Sequence, residues 1–242
     1  MLVAFALFAA GASAALVRVN GLVLTADGGF TPSSLPKRAF APIDFQGTAN
    51  LKAVGGGTPP PVQQVVLNFD RNGRLETTGL PVCQPSSLQD LTPAEARQRC
   101  AGAIVGTGHV RAQIPLLVGT VQASSPVTFF NGPPQDGHPT VILHARTTVP
   151  AVQTFVITVP IEQRRGAYRY RATINVPPIF DGLGSLVHLD AKIGRHYRFG
   201  GRERSYASAR CTDGILRTRG RFTFADGTII EGSVEKGCTV RK

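Results

Sequence analysis

The densest group of reactive side chains is His188-Leu189-Asp190-Ala191-Lys192. Strand alternation puts His188, Asp190 and Lys192 on one face and Val187, Leu189, Ala191 and Ile193 on the other. An imidazole beside a carboxylate can relay a proton or, with further donors, hold a metal. The plainer reading is the solvated face of a half-buried strand, and the spacing favours it. His109, His138, His144 and His196 are scattered without paired ligand spacing, so neither a metal nor a cofactor is expected. The chain lacks G-x-S-x-G, H-E-x-x-H, phosphate-loop and EF-hand motifs. Gly106-Thr107-Gly108 opens a dinucleotide fingerprint, but Arg111 stands where the third Gly belongs. Asp181-Gly182-Leu183-Gly184 reads as a turn in preference to an oxygen-ligand loop for calcium.

Arginine is the second feature. The 242 residues carry 26 Lys+Arg against 15 Asp+Glu, a formal net charge of +11, and all but five of the basic residues are Arg. Residues 162–242 hold 16 of the 26. Arg217, Arg219 and Arg221 share one strand face, and Arg169 and Arg171 share another. Such stripes could meet an anionic envelope polymer, a membrane surface or an acidic glycan. Nucleic acid is disfavoured, because no aromatic side chain interleaves with the stripe. A solvated sheet face, partly neutralised by Glu231 and Glu235, is the plain alternative.

Cysteine and the leader bear on compartment. Met1-Val17 carries no charged side chain, and its apolar run ends at Ala12-Ser13-Ala14, an A-x-A site. A signal peptide cut after Ala14 is expected, with residues 15–242 as one exported domain. A retained anchor is the rival. Cys83, Cys100, Cys211 and Cys238 allow three pairings, and none of the spacings is C-x-x-C. Local bridges, Cys83–Cys100 and Cys211–Cys238, would each close one recognisable unit.

Strands must position these groups. Leu16-Thr25, Ala41-Val54, Val62-Asp70, Ala103-Ile114, Val141-Thr147, Thr154-Ile161, Ala167-Val176 and Leu186-Ile193 read as strands bounded by turn residues. Two three-residue hairpin loops are expected. Arg71-Asn72-Gly73 would set Phe69 opposite Leu75, and Ala225-Asp226-Gly227 would set Phe222 opposite Ile230, Arg221 opposite Glu231 and Arg217 opposite Glu235. In that second register Arg219 faces the neutral Ser233. Arg204-Cys211, Ile215-Phe224 and Thr228-Lys236 read as a meander. Thr92-Pro93-Ala94-Glu95 is a capping box that starts a short helix between Cys83 and Cys100. Gly55-Pro61 and Asn131-Gly132-Pro133-Pro134 read as loops, the second a candidate sub-boundary spanning 131–139.

Several phrases carry a resemblance. Phe69-Asp-Arg-Asn-Gly-Arg-Leu75, Gly79-Leu-Pro-Val-Cys83, Ala96-Arg-Gln-Arg-Cys100, Phe130-Asn-Gly-Pro-Pro134 and Ser205-Tyr-Ala-Ser-Ala-Arg-Cys211 resemble a group of predicted secreted proteins of GC-rich bacteria. The resemblance implies export and two disulfides, and it implies no catalytic residue.

The expected fold is all-β, an antiparallel sandwich or barrel-like sheet with one short helix on a disulfide loop. The expected function is a non-catalytic exported binding or structural module of the cell envelope. The alternative is a secreted hydrolase whose site includes His188 and Asp190.

Overall fold

The computed structural model describes residues 14–241, so residues 1–13 of the expected leader lie outside the described residues. Twelve strands make one antiparallel sheet. In chain order they are β1 (Ala15–Val19), β2 (Leu22–Thr31), β3 (Asp44–Ala53), β4 (Val62–Asp70), β5 (Ile104–Leu116), β6 (Gly119–Gln135), β7 (His138–Thr147), β8 (Gln153–Gln163), β9 (Tyr168–Asn175), β10 (Ser185–Ile193), β11 (Ile215–Phe224) and β12 (Ile229–Gly237). Across the sheet the order is β1-β2-β3-β10-β5-β6-β7-β8-β9-β4-β11-β12.

The sheet curls until its two edges meet. A Cβ added at Gly232 of β12 would lie 3.2 Å from Val17 Cγ2 of β1. No backbone ladder joins β1 to β12. Side chains cross the seam instead: Lys236 Nζ lies 2.8 Å from Asp27 Oδ1, and Asn20 Nδ2 donates to Thr228 Oγ1 at 3.4 Å. Of the two all-β architectures expected, the barrel-like one is observed.

Sequence order and spatial order differ, and this closes the ends. Four strands separate β9 from β10, so residues 176–184 must cross one end of the barrel. Residues 54–61, between β3 and β4, cross the same end, and Ser185 Oγ donates to Pro60 O where the straps meet. The opposite end is covered by residues 71–82 and 194–214. There Gly73–Leu75, Ala207–Ala209 and Ala41–Pro42 form a three-stranded sheet, whose buried Ala41 and Ala209 pack with Leu35 and Ile43.

The register of the Ala225-Asp226-Gly227 hairpin is the expected one, with Phe222 opposite Ile230 and Arg217 opposite Glu235. Gly227 takes φ 83°, the left-handed value that the loop requires. The helix also forms, over Pro93–Arg99, with both capping-box bonds between Thr92 and Glu95 present. Both local disulfides form, with Cα–Cα separations of 5.6 Å and 5.9 Å.

Four expectations fail for identifiable reasons. The Arg71-Asn72-Gly73 hairpin is absent because β9 and β11 already occupy both edges of β4. Asp70 is buried there; its carboxylate accepts from the backbone of Asn72 at 2.8 Å and of Arg217 at 3.0 Å, ending the strand. The meander loses its first member. Ala207–Ala209 pairs in the end sheet, since β11 has β4 and β12 as neighbours. Leu16-Thr25 is broken by a two-residue turn at Asn20 and Gly21, both at positive φ. Asn131-Gly132-Pro133-Pro134 lies inside β6 and is no loop. Beyond Phe130 that strand has run past β5, so two prolines lacking N–H groups leave no ladder bond unmade on that edge.

Candidate functional site

Alternation assigns every barrel strand an inner and an outer row. Val187, Leu189 and Ala191 of β10 line the interior; His188 also borders it, but its ring bonds Asn50 and Asp190 on the outer row, which Lys192 shares by alternation. The structure does bring the expected pair together: His188 Nε2 lies 3.2 Å from Asp190 Oδ2, and Nδ1 lies 2.7 Å from Asn50 Oδ1. Lys192 turns away to Asp44, at 3.9 Å. The group sits on the convex wall between β3 and β5, with Thr48 and His109 opposite Asp190 in the register. No group of three His, Cys, Asp or Glu side chains able to hold a metal occurs among the described residues.

The arginine stripe is also on the outer wall, and it is more fully paired than its register implies. Arg217 meets Glu235 at 3.1 Å and Asp213 at 3.4 Å, and Arg221 meets Glu231 at 3.1 Å. Arg219 stands opposite Ser233 in the backbone register, yet its guanidinium reaches diagonally to Glu231. The hydrogen bond from Arg219, ahead of the two nearby charges, holds the Glu231 carboxyl below the ordinary carboxylate range. Three guanidiniums therefore share three carboxylates. Arg171 joins the same wall, aligned with Arg219 through Asn68 of β4.

Arg169 belongs to a different cluster. The register shifts between Tyr168 and Tyr170, and this irregularity turns Arg169 toward Phe40 at the end of the barrel. Its guanidinium carbon lies 5.2 Å from the Phe40 ring centroid, with Arg210 at 5.0 Å and Arg74 at 5.8 Å. Arg74 has a carboxylate partner in Glu76. Arg210 bonds the neutral Asn72 side chain, and neither it nor Arg169 forms an ion pair among the described residues. Sequence reasoning missed this cluster, because its members come from residues 40, 74, 169 and 210. Only the end sheet brings them together.

The inner wall was missed as well. The inward rows enclose a cavity of about 370 Å³. Its walls are apolar, carried by Leu24, Ala49, Leu67, Leu143, Ile157 and Phe222 among others. The signal was present in the alternation of β9 and β10, but a strand pattern does not distinguish a filled core from a hollow one. No family model, curated protein or solved structure matches the chain.

The two bridges suit an oxidising compartment. No helix among the described residues is long and apolar enough to cross a membrane.

Proposed function

We infer that this protein is an exported, non-catalytic binding module of the bacterial cell envelope that engages anionic polymer through basic outer surface. The observation that carries this reading is the convergence of Arg74, Arg169 and Arg210 on one ring with a single carboxylate among them. Guanidiniums held at fixed spacing on an aromatic face offer phosphate or sulfate oxygens a preformed set of donors. The Arg217–Arg221 stripe and Arg171 extend the basic surface, but their acidic partners must be displaced first. The outer wall around His188 is convex and lends the hydrolase reading no enclosing pocket. Export rests on the apolar leader and agrees with the disulfides.

Binding of the mature chain to immobilised poly(glycerol phosphate), read at low and high salt, tests the proposal. The expected result is salt-sensitive retention, weakened about tenfold by Arg169→Glu with Arg210→Glu and less by Arg219→Glu. Failure of the wild type to bind at low salt, or binding indifferent to salt, would overturn it.

A further inference from the structure

Folded interiors leave few voids larger than a water molecule, because lost contacts are not recovered elsewhere. The hollow in this barrel is far larger, about 370 Å³, and its lining is apolar. That volume lies in the range of small-molecule sites, near its lower end, where room exists for one narrow ligand. The space runs along the barrel from Leu24, Leu51 and Phe224 near the strapped end to Phe69 and Lys236 near the other.

One pole of this space is charged. The parity that turns Gly232 and Val234 inward also assigns Lys236 to the cavity, and its side chain is 20 % exposed. Its partner Asp27 stands across the seam on the outer row of β2, opposite Thr48, at the rim of the cavity and about half exposed at 48 %. The seam has no backbone ladder, so parting it breaks side-chain contacts and leaves the strand pairing intact.

We propose that the barrel interior binds a single-chain fatty acid, its aliphatic tail along the cavity and its carboxylate on Lys236 at the seam. The ligand carboxylate takes the place of the Asp27 carboxylate on Lys236, and Asp27, already on the outer row, is released to water. An uncharged chain would gain only the apolar contacts, and a two-chain lipid exceeds the volume. This site is on the opposite side of the wall from the basic outer surface, so either can fail without the other.

The test is a titration of the delipidated, disulfide-intact mature chain with a fluorescent polyene fatty acid, followed by displacement with dodecanoate or dodecanol. Saturable binding at one site is expected, with dodecanoate the better competitor by about tenfold. Ala49→Phe and Ala145→Phe fill the space from different strands, and each is expected to weaken binding at least about tenfold while the fold is retained by circular dichroism. Should one of them not fold, the other decides. Lys236→Met should bring dodecanoate down to the level of dodecanol, whereas Asp27→Asn, which removes the competing carboxylate, should tighten it. The proposal is overturned if the wild type shows no saturable binding, or if a folded Phe variant binds undiminished. It is equally overturned if Asp27→Asn weakens binding as much as Lys236→Met, since the pair would then be only a latch on the seam.

Discussion

Ile142 and Leu143 are neighbours on β7, but the one pointing away from the barrel is the better buried. Ile142 and His144 on the outer row are 0 % exposed, while Leu143 and Ala145 on the inner row are only partly buried. The outer row is covered by the excursion between β4 and β5. There Leu88, Ala96, Cys83 and Ala103 pack onto Phe130 and Ile142 as a solid cluster. The inner row borders the cavity at Leu143 and Ala145, and toward the capped end Val127 and Phe129 pack with Leu80, Val105 and Tyr206. A barrel normally hides its apolar residues inside and shows polar ones outside. Here β6 and β7 are apolar on both sides, and a fully buried cluster lies outside the barrel as well as one inside its capped end. The stapled excursion thus supplies packing that the barrel wall beside the cavity lacks, and that stretch of the interior is left free to hold something else.

That comparison breaks most visibly with a pair of truncations. Phe130 of the outer row is fully buried, so Phe130→Ala should cost about 3–5 kcal/mol, the transfer loss plus a new void. Phe155, an inner-row residue on the cavity wall and only partly buried, has no tight cavity to lose. Phe155→Ala should cost roughly 1–1.5 kcal/mol, from lost apolar contact alone. Denaturant unfolding of both variants measures the difference. Equal losses would mean that the inner wall is as tightly packed as the outer cluster.

A somewhat smaller effect is expected from removing the staple. Replacing Cys83 and Cys100 together by Ser reopens a loop of sequence separation 17, for which chain-entropy models give about 3 kcal/mol. The loss should be local. Hydrogen exchange should rise in the helix and along the outer row of β7, while β1, β2 and β12, far from β6 and β7 in the strand order, keep their protection. Uniform loss of protection would show that barrel and excursion unfold as one unit.

How much of this was legible beforehand follows from the range of the interactions involved. The helix, the Ala225-Asp226-Gly227 register and both bridges are local, and Thr92, Glu95, Gly227 and the paired charges announce them within a few residues. The first hairpin failed although Asn72-Gly73 is as good a turn as any in the chain. What defeated it was competition for the edges of β4, which depends on β9 and β11, roughly a hundred residues and more away. Arg169 was placed in a strand correctly, but its aim depends on a register shift and on Phe40 from the end cap. The cavity was invisible for a different reason. Apolar residues at period two state which way a wall faces, and only the count and order of strands decide how far apart the walls stand.

The remaining prediction concerns His144, on the buried side of the same comparison. Its Nε2 lies 3.1 Å from Leu91 O, a carbonyl of the excursion, and so carries the proton and donates; its Nδ1 is buried with no partner. Burial, with Arg146 and Arg97 nearby, pushes this imidazole below its ordinary value. A proton on Nδ1 would place an unpaired positive charge beneath the helix. The unfolded chain takes up that proton near the ordinary imidazole pKa of about 6.5, and the folded chain takes it up only at lower pH. The unfolded state therefore binds more protons through this window, so stability is full above it and declines as pH falls below about 6.5. Thermal midpoints of wild type and His144→Gln between neutral and mildly acid pH isolate the contribution. The wild type should lose more on acidification than the variant, which has no proton to exclude, although the variant starts lower at neutral pH. Parallel pH profiles for the two proteins would mean that His144 takes up its proton as readily in the fold as in the unfolded chain, as it would if water reached it beneath the helix; a relative gain by the wild type on acidification would mean that the fold favours the imidazolium.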